Sequence, residues 1–139
     1  MLRVTVASFD DARECPLRNV LDRLGDKWSL LIFAVLEEEP KRFNEIKRLI
    51  GDISQRVLTQ KLRQLERDGY LSRKVYPGKV SKVAYELTGL GRSALVPVMQ
   101  LMQWSLEAHA QIRQSRAQYD SSQKEARARP QGREKTRAG

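Results

Sequence analysis

The sequence predicts a mainly α-helical fold with one small β-hairpin, an α+β class, and three observations support that prediction. Apolar residues recur with the 3.6-residue period of a helix in five segments between residues 15 and 113. Two of those segments are separated by only three residues, as in a helix-turn-helix. The period then changes to two between residues 70 and 87, which is the pattern of a pair of strands.

Two helices are expected before the helix-turn-helix. The first opens at Cys15-Pro16, where proline suits a first helical position, and it stops at Gly25. The second follows Asp26, a candidate N-cap, and is apolar on nearly all sides from Trp28 to Leu36, so we expect it at the centre of the core. Residues 1–14 alternate loosely and then turn acidic, which is compatible with a short strand or with a disordered lead-in.

The helix-turn-helix consists of two short helices, residues 43–50 and 54–69, joined through Gly51, Asp52 and Ile53. In the second helix, Ser54 is a good N-cap, and Gly69 stands where left-handed backbone commonly ends a helix. The buried side of this helix is a narrow apolar stripe at positions i, i+4 and i+7, formed by Leu58, Leu62 and Leu65.

The opposite side of the same helix carries basic and amide side chains and no carboxylate, at about 100° of rotation per residue. Its members are Arg56, Gln60, Arg63 and Arg67, with Thr59 and Gln64 at the edges. Arginine and glutamine form paired hydrogen bonds with guanine and adenine in the major groove, and threonine can contact a thymine methyl group. This pattern favours a DNA recognition helix, and a solvated basic surface is the alternative. The expected base-contacting residues are Gln55, Arg56, Thr59, Gln60 and Arg63.

A hairpin follows the recognition helix, with strands near residues 70–76 and 83–87 and a turn that contains Pro77 and Gly78. Its basic side chains would project as a wing beside the DNA, although lysines on a hairpin also protect an exposed sheet edge. The residues expected to contact the DNA backbone are Ser54, Arg67, Arg73, Lys74, Lys79 and Lys82.

The last helix is expected after the cap residue Thr88 and should end near Arg113. Pro97 predicts either a kink or a helix that begins near that residue. Residues 15–113 would then form one DNA-binding domain. Residues 114–139 are basic and poor in large apolar side chains, so we expect a disordered tail that is either solvated or adds nonspecific DNA affinity.

The charge of the chain is large and local. The formal net charge is +9 and the isoelectric point is about 10.1, which indicates a polyanionic partner, either nucleic acid or an anionic membrane surface. Residues 54–82 hold eight lysines and arginines but only two acidic residues. This concentration of charge in the helix-turn-helix and the wing favours double-stranded DNA.

Composition also excludes several classes of function. The chain has one histidine and one cysteine, and it lacks a glycine-rich phosphate loop and a nucleophile paired with a base, so we expect no enzyme, no cofactor and no metal site. A single cysteine permits no internal disulfide and suits a reducing compartment. With no membrane-spanning or signal segment in the sequence, the predicted location is the cytoplasm.

Several short motifs closely resemble the HxlR-type family of bacterial transcriptional regulators, which is related to the MarR regulators. The matching stretches are Cys15-Pro16-Leu17, Leu24-Gly25-Asp26-Lys27-Trp28, Arg42-Phe43-Asn44-Glu45-Ile46, the whole of residues 53–69, and Tyr85-Glu86-Leu87-Thr88. The resemblance covers Cys15 to about Trp104. It departs from the family at Asp26, where glycine is frequent, and at Ser81, where the wing often has proline.

The resemblance implies a winged helix-turn-helix homodimer that binds a roughly palindromic operator and represses or activates transcription, with no small-molecule effector identified. In such proteins the first and last helices usually form the dimer interface. Here that implies pairing through Leu17, Val20, Leu21, Val98, Leu101, Met102 and Trp104, and the alternative is that these residues belong to the core of one chain.

Some members of this family sense oxidants through a cysteine near the N-terminus, and Cys15 occupies that position. A helix N-terminus favours thiolate, whereas the neighbouring Glu14 opposes it. The two interpretations of Cys15 are a redox switch and a small residue that packs at a helix start.

Two other classes of function remain as alternatives to a sequence-specific regulator. A winged-helix protein-interaction module would carry apolar or acidic residues on the outward side of residues 54–69, where the sequence has arginine and glutamine. A nonspecific nucleic-acid binder, including an RNA binder with exposed aromatic side chains for stacking, would show no preference between DNA sequences.

Overall fold

The computed structural model describes residues 15–78 and 82–130, and these contain five α-helices and three β-strands. The expected N-terminal lead-in, Lys79, Ser81 and residues 131–139 lie outside the described residues. The chain divides into two compact units, one ending at Gln100 and the other beginning at Leu101. In chain order the elements are α1 (Pro16–Leu24), α2 (Lys27–Val35), β1 (Lys41–Arg42), α3 (Phe43–Ile50), α4 (Gln55–Arg67), β2 (Leu71–Tyr76), β3 (Lys82–Leu87) and α5 (Gly89–Ala128).

The helix-turn-helix is formed by α3 and α4 as the sequence predicts. Ser54 is the N-cap of α4, and its hydroxyl oxygen accepts a hydrogen bond from the backbone N–H of Val57 at 3.1 Å. Gly51 and Gly69 follow the two helices with φ angles of 90° and 83°, a left-handed conformation that side chains with a Cβ rarely adopt. Glycine at both positions therefore lets the chain turn sharply at the end of each helix.

The core of the first unit is built around α2. Ile32 and Phe33 of this helix have no exposed surface, which confirms that the helix apolar on nearly all sides is central. The ring of Phe33 packs edge-to-face on Tyr70 with 5.8 Å between the ring centroids. From α4, the stripe formed by Leu58, Leu62 and Leu65 is also buried, with at most 1% of each residue exposed. This apolar contact fixes which side of α4 faces outward.

The strands form a three-stranded antiparallel sheet in the order β1-β3-β2. The hairpin joins the two strands that the alternating pattern predicts, and its register runs from Leu71 opposite Leu87 to Tyr76 opposite Lys82. The third strand, β1, was not predicted because two residues are too few to show a period. It pairs Lys41 with Tyr85 and attaches the start of α3 to the hairpin.

Of the two predictions for Pro97, a kink inside the last helix or a helix that begins near Pro97, the second is wrong. The helix α5 starts at Gly89, and Pro97 lies inside it. The hydroxyl oxygen of Thr88 accepts from the N–H of Gly91 at 3.1 Å, which confirms Thr88 as the cap. A Cβ atom at Gly91 would collide with the carbonyl oxygen of Tyr70, so glycine allows the start of α5 to pack directly against the backbone between α4 and β2.

The far end of α5 corrects the prediction for the tail. The helix continues past Arg113 to Ala128, so disorder from residue 114 is wrong for residues 114–128. The reason is that ten of these fifteen residues are alanine, glutamine, arginine, lysine or glutamate, which are good helix formers, and no glycine or proline occurs between Pro97 and Pro130. A lack of large apolar residues indicates that a segment contributes no core, but it does not exclude a solvated helix.

Candidate nucleic-acid interface

The polar side chains of the outward side of α4 lie where the helical rotation places them. Gln55, Arg56, Gln60 and Arg63 are exposed, and Thr59 is half-buried. The Thr59 hydroxyl donates a hydrogen bond to the backbone carbonyl of Gln55 at 2.8 Å. Because that bond uses its only proton, the methyl group and the oxygen lone pairs remain for contacts with a partner.

The arginines of this side have no carboxylate partner among the residues that the structure describes. Among residues 15–78 and 82–130, no carboxylate oxygen lies within 4.0 Å of a guanidinium nitrogen of Arg56, Arg63 or Arg67. Together with the neighbouring glutamines and Thr59 they surround one shallow open depression. A row of unpaired guanidinium groups attracts an anion, and their planar donor geometry suits both phosphate and the edge of guanine.

The wing places its basic residues on two different faces. In the antiparallel register, Lys74 and Lys82 share one face of the hairpin, and Arg73 points to the other. The ammonium group of Lys74 lies 2.6 Å from a carboxylate oxygen of Glu86, and the hydrogen bond between them raises the pKa of Lys74 and lowers the pKa of Glu86. The positive charge of Lys74 is therefore partly offset by the carboxylate of Glu86. Arg73 and Lys82 have no carboxylate within 4.0 Å among the described residues.

Two of the other expected backbone contacts are also described. Arg67 is exposed at the end of α4, and Ser54 is exposed at its start. The Ser54 oxygen already accepts the capping hydrogen bond, but its hydroxyl proton is not used by any described group.

The residues expected at a dimer interface divide into exposed and buried groups. On α1, Leu17, Val20 and Leu21 are 43%, 42% and 55% exposed, although they are apolar. Within the second unit, Leu101 and Trp104 are exposed and Met102 is half-buried. The remaining residue, Val98, is only 7% exposed because it continues the inward side of α5 formed by Gly91 and Leu95, so it offers little surface to a partner chain.

Cys15 lies at the N-cap of α1 and is 2% exposed. Its side chain makes no capping hydrogen bond, and its backbone carbonyl accepts from the N–H of Asn19 at 3.1 Å. Pro16 is the first residue of the helix, as predicted. The thiol is therefore packed against the chain, and a reaction with an oxidant requires the start of α1 to open.

Two ion pairs that the sequence did not predict join α4 to the corner between α1 and α2. Arg23 donates from Nε to a carboxylate oxygen of Asp68 at 2.5 Å, and the ammonium group of Lys61 donates to Asp26 at 2.6 Å. These pairs join residues 45 and 35 positions apart, so no local sequence pattern could reveal them. The one available indication was the position of Lys61 beside the leucine stripe, away from the outward side.

Asp26 has two roles in this arrangement. One carboxylate oxygen accepts from the N–H of Ser29 at 2.7 Å, which confirms Asp26 as the N-cap of α2, and the other accepts from Lys61. Burial raises the pKa of Asp26, but the hydrogen bonds from Lys61 and from the Ser29 N–H outweigh it and hold the pKa below its usual value. The charged form of the side chain is therefore the one that the structure stabilises.

Comparisons with known proteins agree with this geometry. The family model described as HxlR-like helix-turn-helix matches residues 23–113. The HTH-type transcriptional regulator YdeP of Bacillus subtilis is 41% identical over 97 residues, which cover 70% of this chain and 76% of that protein. None of the helices in the described part of the chain combines the length and apolar composition needed to cross a membrane.

Solved structures give the same result. A transcriptional regulator described as YtfH from Salmonella typhimurium aligns with a TM-score of 0.69 at 35% identity, covering 76% of this chain and 95% of that one. The redox regulator HypR in its reduced form aligns with a TM-score of 0.68 at 37% identity, covering 72% and 99%. The winged helix-turn-helix predicted from the sequence is thus confirmed, and the chain belongs to the HxlR-like helix-turn-helix family of transcriptional regulators.

Proposed function

We propose that this regulator binds a specific double-stranded DNA operator through the outward side of α4. The observation that supports the proposal most strongly is the set of three arginines on that side, which have no carboxylate partner among the described residues. Glutamines and Thr59 between them supply the additional hydrogen-bonding and methyl groups that distinguish base pairs. Base contacts are assigned to Gln55, Arg56, Thr59, Gln60 and Arg63.

The DNA backbone is assigned to the residues that flank this side. Arg73 and Lys82 on the wing and Arg67 at the end of α4 are exposed and unpaired within the described residues. Contacts of this kind fix the position of a protein on the duplex and strengthen binding to every sequence. Lys74 contributes less, because Glu86 holds its ammonium group.

The second part of the proposal is that two copies bind together. Leu17, Val20 and Leu21 expose more apolar surface than the short helix α1 would leave in water without a partner. A homodimer through α1 and α5 would present two copies of α4 to a roughly palindromic site. Whether the bound protein represses or activates depends on where its site lies relative to a promoter.

Selection of bound sequences from a random duplex library tests the proposal. We expect enrichment of a two-fold symmetric sequence whose half-sites are separated by about one helical turn, roughly 34–36 Å. Enrichment of no sequence would contradict specific recognition, and enrichment of a single half-site bound by one chain would contradict the dimer.

Dimerisation has its own test in sedimentation of the free protein. Leu21→Glu places a charge on exposed surface of α1 and should shift the protein towards monomer without disturbing the core. Leu49→Glu is the matched control, because Leu49 is 57% exposed on α3, outside the proposed interface. If Leu21→Glu and Leu49→Glu sediment with the same proportion of monomer, the proposed interface is contradicted.

We also propose that oxidation or electrophile modification of Cys15 modulates DNA binding. The support is its position at the start of α1, the helix proposed to pair with a second copy, together with the likeness to a redox regulator. Diamide would take two electrons from two thiols to leave a disulfide, either between the Cys15 residues of two subunits or with a small thiol such as glutathione. The Cys15→Ser protein should then keep its operator in diamide while wild type releases it. Release by both proteins alike would exclude Cys15 as the sensor.

A further inference from the structure

Four charged residues form a cluster between α4 and the corner that joins α1 to α2. Arg23 and Asp26 lie on either side of Gly25 at that corner, and they pair with Asp68 and Lys61. In each pair the side chains are only about a third exposed or less, at 30% and 30% for Arg23 and Asp68 and at 31% and 21% for Asp26 and Lys61. We call these four residues the corner cluster.

The spacing of the corner cluster matches the pitch of α4. Lys61 and Asp68 are seven residues apart, close to two full turns, so they lie on the same side of the helix about 10 Å apart along its axis. The corner itself is tight, because a Cβ atom at Gly25 would collide with the carbonyl oxygen of Leu21. The corner therefore presents one positive and one negative group at a fixed spacing.

The signs of the four charges specify one orientation of α4. The corner offers a cation at Arg23 and an anion at Asp26, and α4 offers an anion at Asp68 and a cation at Lys61. If α4 shifted by two turns or reversed its direction, like charges would face each other, which is unfavourable. The leucine stripe on its own permits small rotations and slides of α4 that the two ion pairs oppose.

We propose that the corner cluster positions the recognition helix, so that Asp26 and Lys61, with Arg23 and Asp68, determine sequence discrimination without touching DNA. This inference rests on the proposed function of α4. Exposed and partly exposed ion pairs contribute little to stability. Their effect here is on the angle and height at which Arg56, Gln60 and Arg63 reach base edges, and small misplacements of such groups weaken specific contacts more than contacts with phosphate.

The first test neutralises the Asp26–Lys61 pair. Asp26→Asn keeps an acceptor for the Ser29 N–H but removes the charge, and Lys61→Gln removes its partner. Each variant should lower the ratio of operator affinity to random-duplex affinity by about three- to ten-fold, and the double variant should lose little more than either single one. Lys124→Gln is the charge-matched control outside the cluster and should leave the ratio unchanged.

The second test exchanges the charges of the other pair. Arg23→Glu should lower discrimination because it faces Asp68, and Asp68→Arg added to it should restore the ratio at unchanged net charge. If the ratio is restored, the loss in Arg23→Glu came from the orientation of α4 and not from a general effect of charge on DNA binding. The inference is overturned if the variants weaken operator and random DNA equally, if the losses in the first pair simply add, or if the exchange restores nothing.

Hydrogen exchange of the free protein distinguishes failure of this inference from failure of the proposed function. Loss of either pair should raise the exchange rate of backbone amides in α4 relative to Lys124→Gln, whether or not DNA is bound. If wild type itself shows no preference for any DNA sequence, the proposed function fails while exchange still tests the cluster. Unchanged exchange in all cluster variants would overturn the positioning role.

Discussion

Two sides of α4 carry charge, and they use it differently. On the outward side Arg56, Arg63 and Arg67 have no carboxylate partner among the described residues. On the side towards the α1–α2 corner, Lys61 and Asp68 are both paired at 2.6 Å or less. A charge that is paired within the chain can orient the helix, whereas a charge without such a partner is available to an external anion.

A third side of α4 is the buried leucine stripe, and substitutions there should have the strongest effect on stability. Leu62 is 1% exposed in the core, so Leu62→Ala should lower the free energy of unfolding by about 2–5 kcal/mol through lost burial and a residual cavity. Gln60→Ala, two positions away on the outward side, should change it by no more than about 0.5 kcal/mol. Urea unfolding of the two variants measures the contrast, and equal losses would mean that the two sides of α4 are assigned wrongly.

Arg63 should behave in the opposite way to Leu62. Arg63→Ala should weaken binding to the operator by about 1–3 kcal/mol and relax the preference at one base position, because a paired contact with a base is lost. Its stability should match wild type, since the side chain is exposed and unpaired within the described residues. Competition with operators altered at each position supplies the measurement. A loss that is the same on operator and random DNA would place Arg63 on phosphate instead.

The wing offers a smaller contrast between a free and a paired lysine. Lys82→Ala should weaken binding to every duplex alike and reduce the slope of log affinity against log salt by about one, as expected for one lost phosphate contact. Lys74→Ala should reduce the slope by less, because Glu86 already holds the Lys74 ammonium group. Titrations at several salt concentrations compare the two, and a larger effect at Lys74 would contradict the assignment.

The smallest expected effect is the pH dependence of the corner cluster. The pKa of Asp26 lies below its usual value of 3.8 in the folded chain, so its contribution to stability is present above that value and is lost as the pH falls below it. Asp26→Asn lacks this component. The difference in unfolding free energy between wild type and Asp26→Asn should therefore be constant above about pH 5 and shrink as the pH falls below 3.8. A difference that stays constant as the pH falls below 3.8 would show that the ion pair does not stabilise the charged carboxylate.

The parts of the fold that follow from local patterns were predictable. The ends of α4 could be placed from Ser54 and Gly69, and its outward side from the spacing of three leucines, because caps and helical period are encoded within a few residues. The presence of two hairpin strands followed from alternation, whereas the pairing of Tyr76 with Lys82 did not. Which residues share the outward side of α4 depends on this local geometry.

The parts that depend on contacts between distant residues were not predictable. The strand β1 is too short to have a period, and the pairs Arg23–Asp68 and Lys61–Asp26 join residues far apart in the chain. Val98 was expected at a dimer interface from the family resemblance, with the core as the alternative, and the apolar spacing of α5 could not decide between the two. The helical segment 114–128 was missed because a solvated helix of good helix formers has the same composition as a disordered tail.

Recognition of a DNA sequence by α4 can be tested by titrating the protein against DNA. Purified protein would be titrated against the DNA upstream of its own and neighbouring genes and against random duplex, at low and near-physiological salt. We expect one upstream stretch of DNA to bind two chains, with an affinity about 10³-fold or more above that of random duplex. This preference should persist at the higher salt concentration. Equal binding to all duplexes that disappears as salt is added would contradict sequence recognition by α4, because the arginines of α4 would then be a nonspecific contact with phosphate.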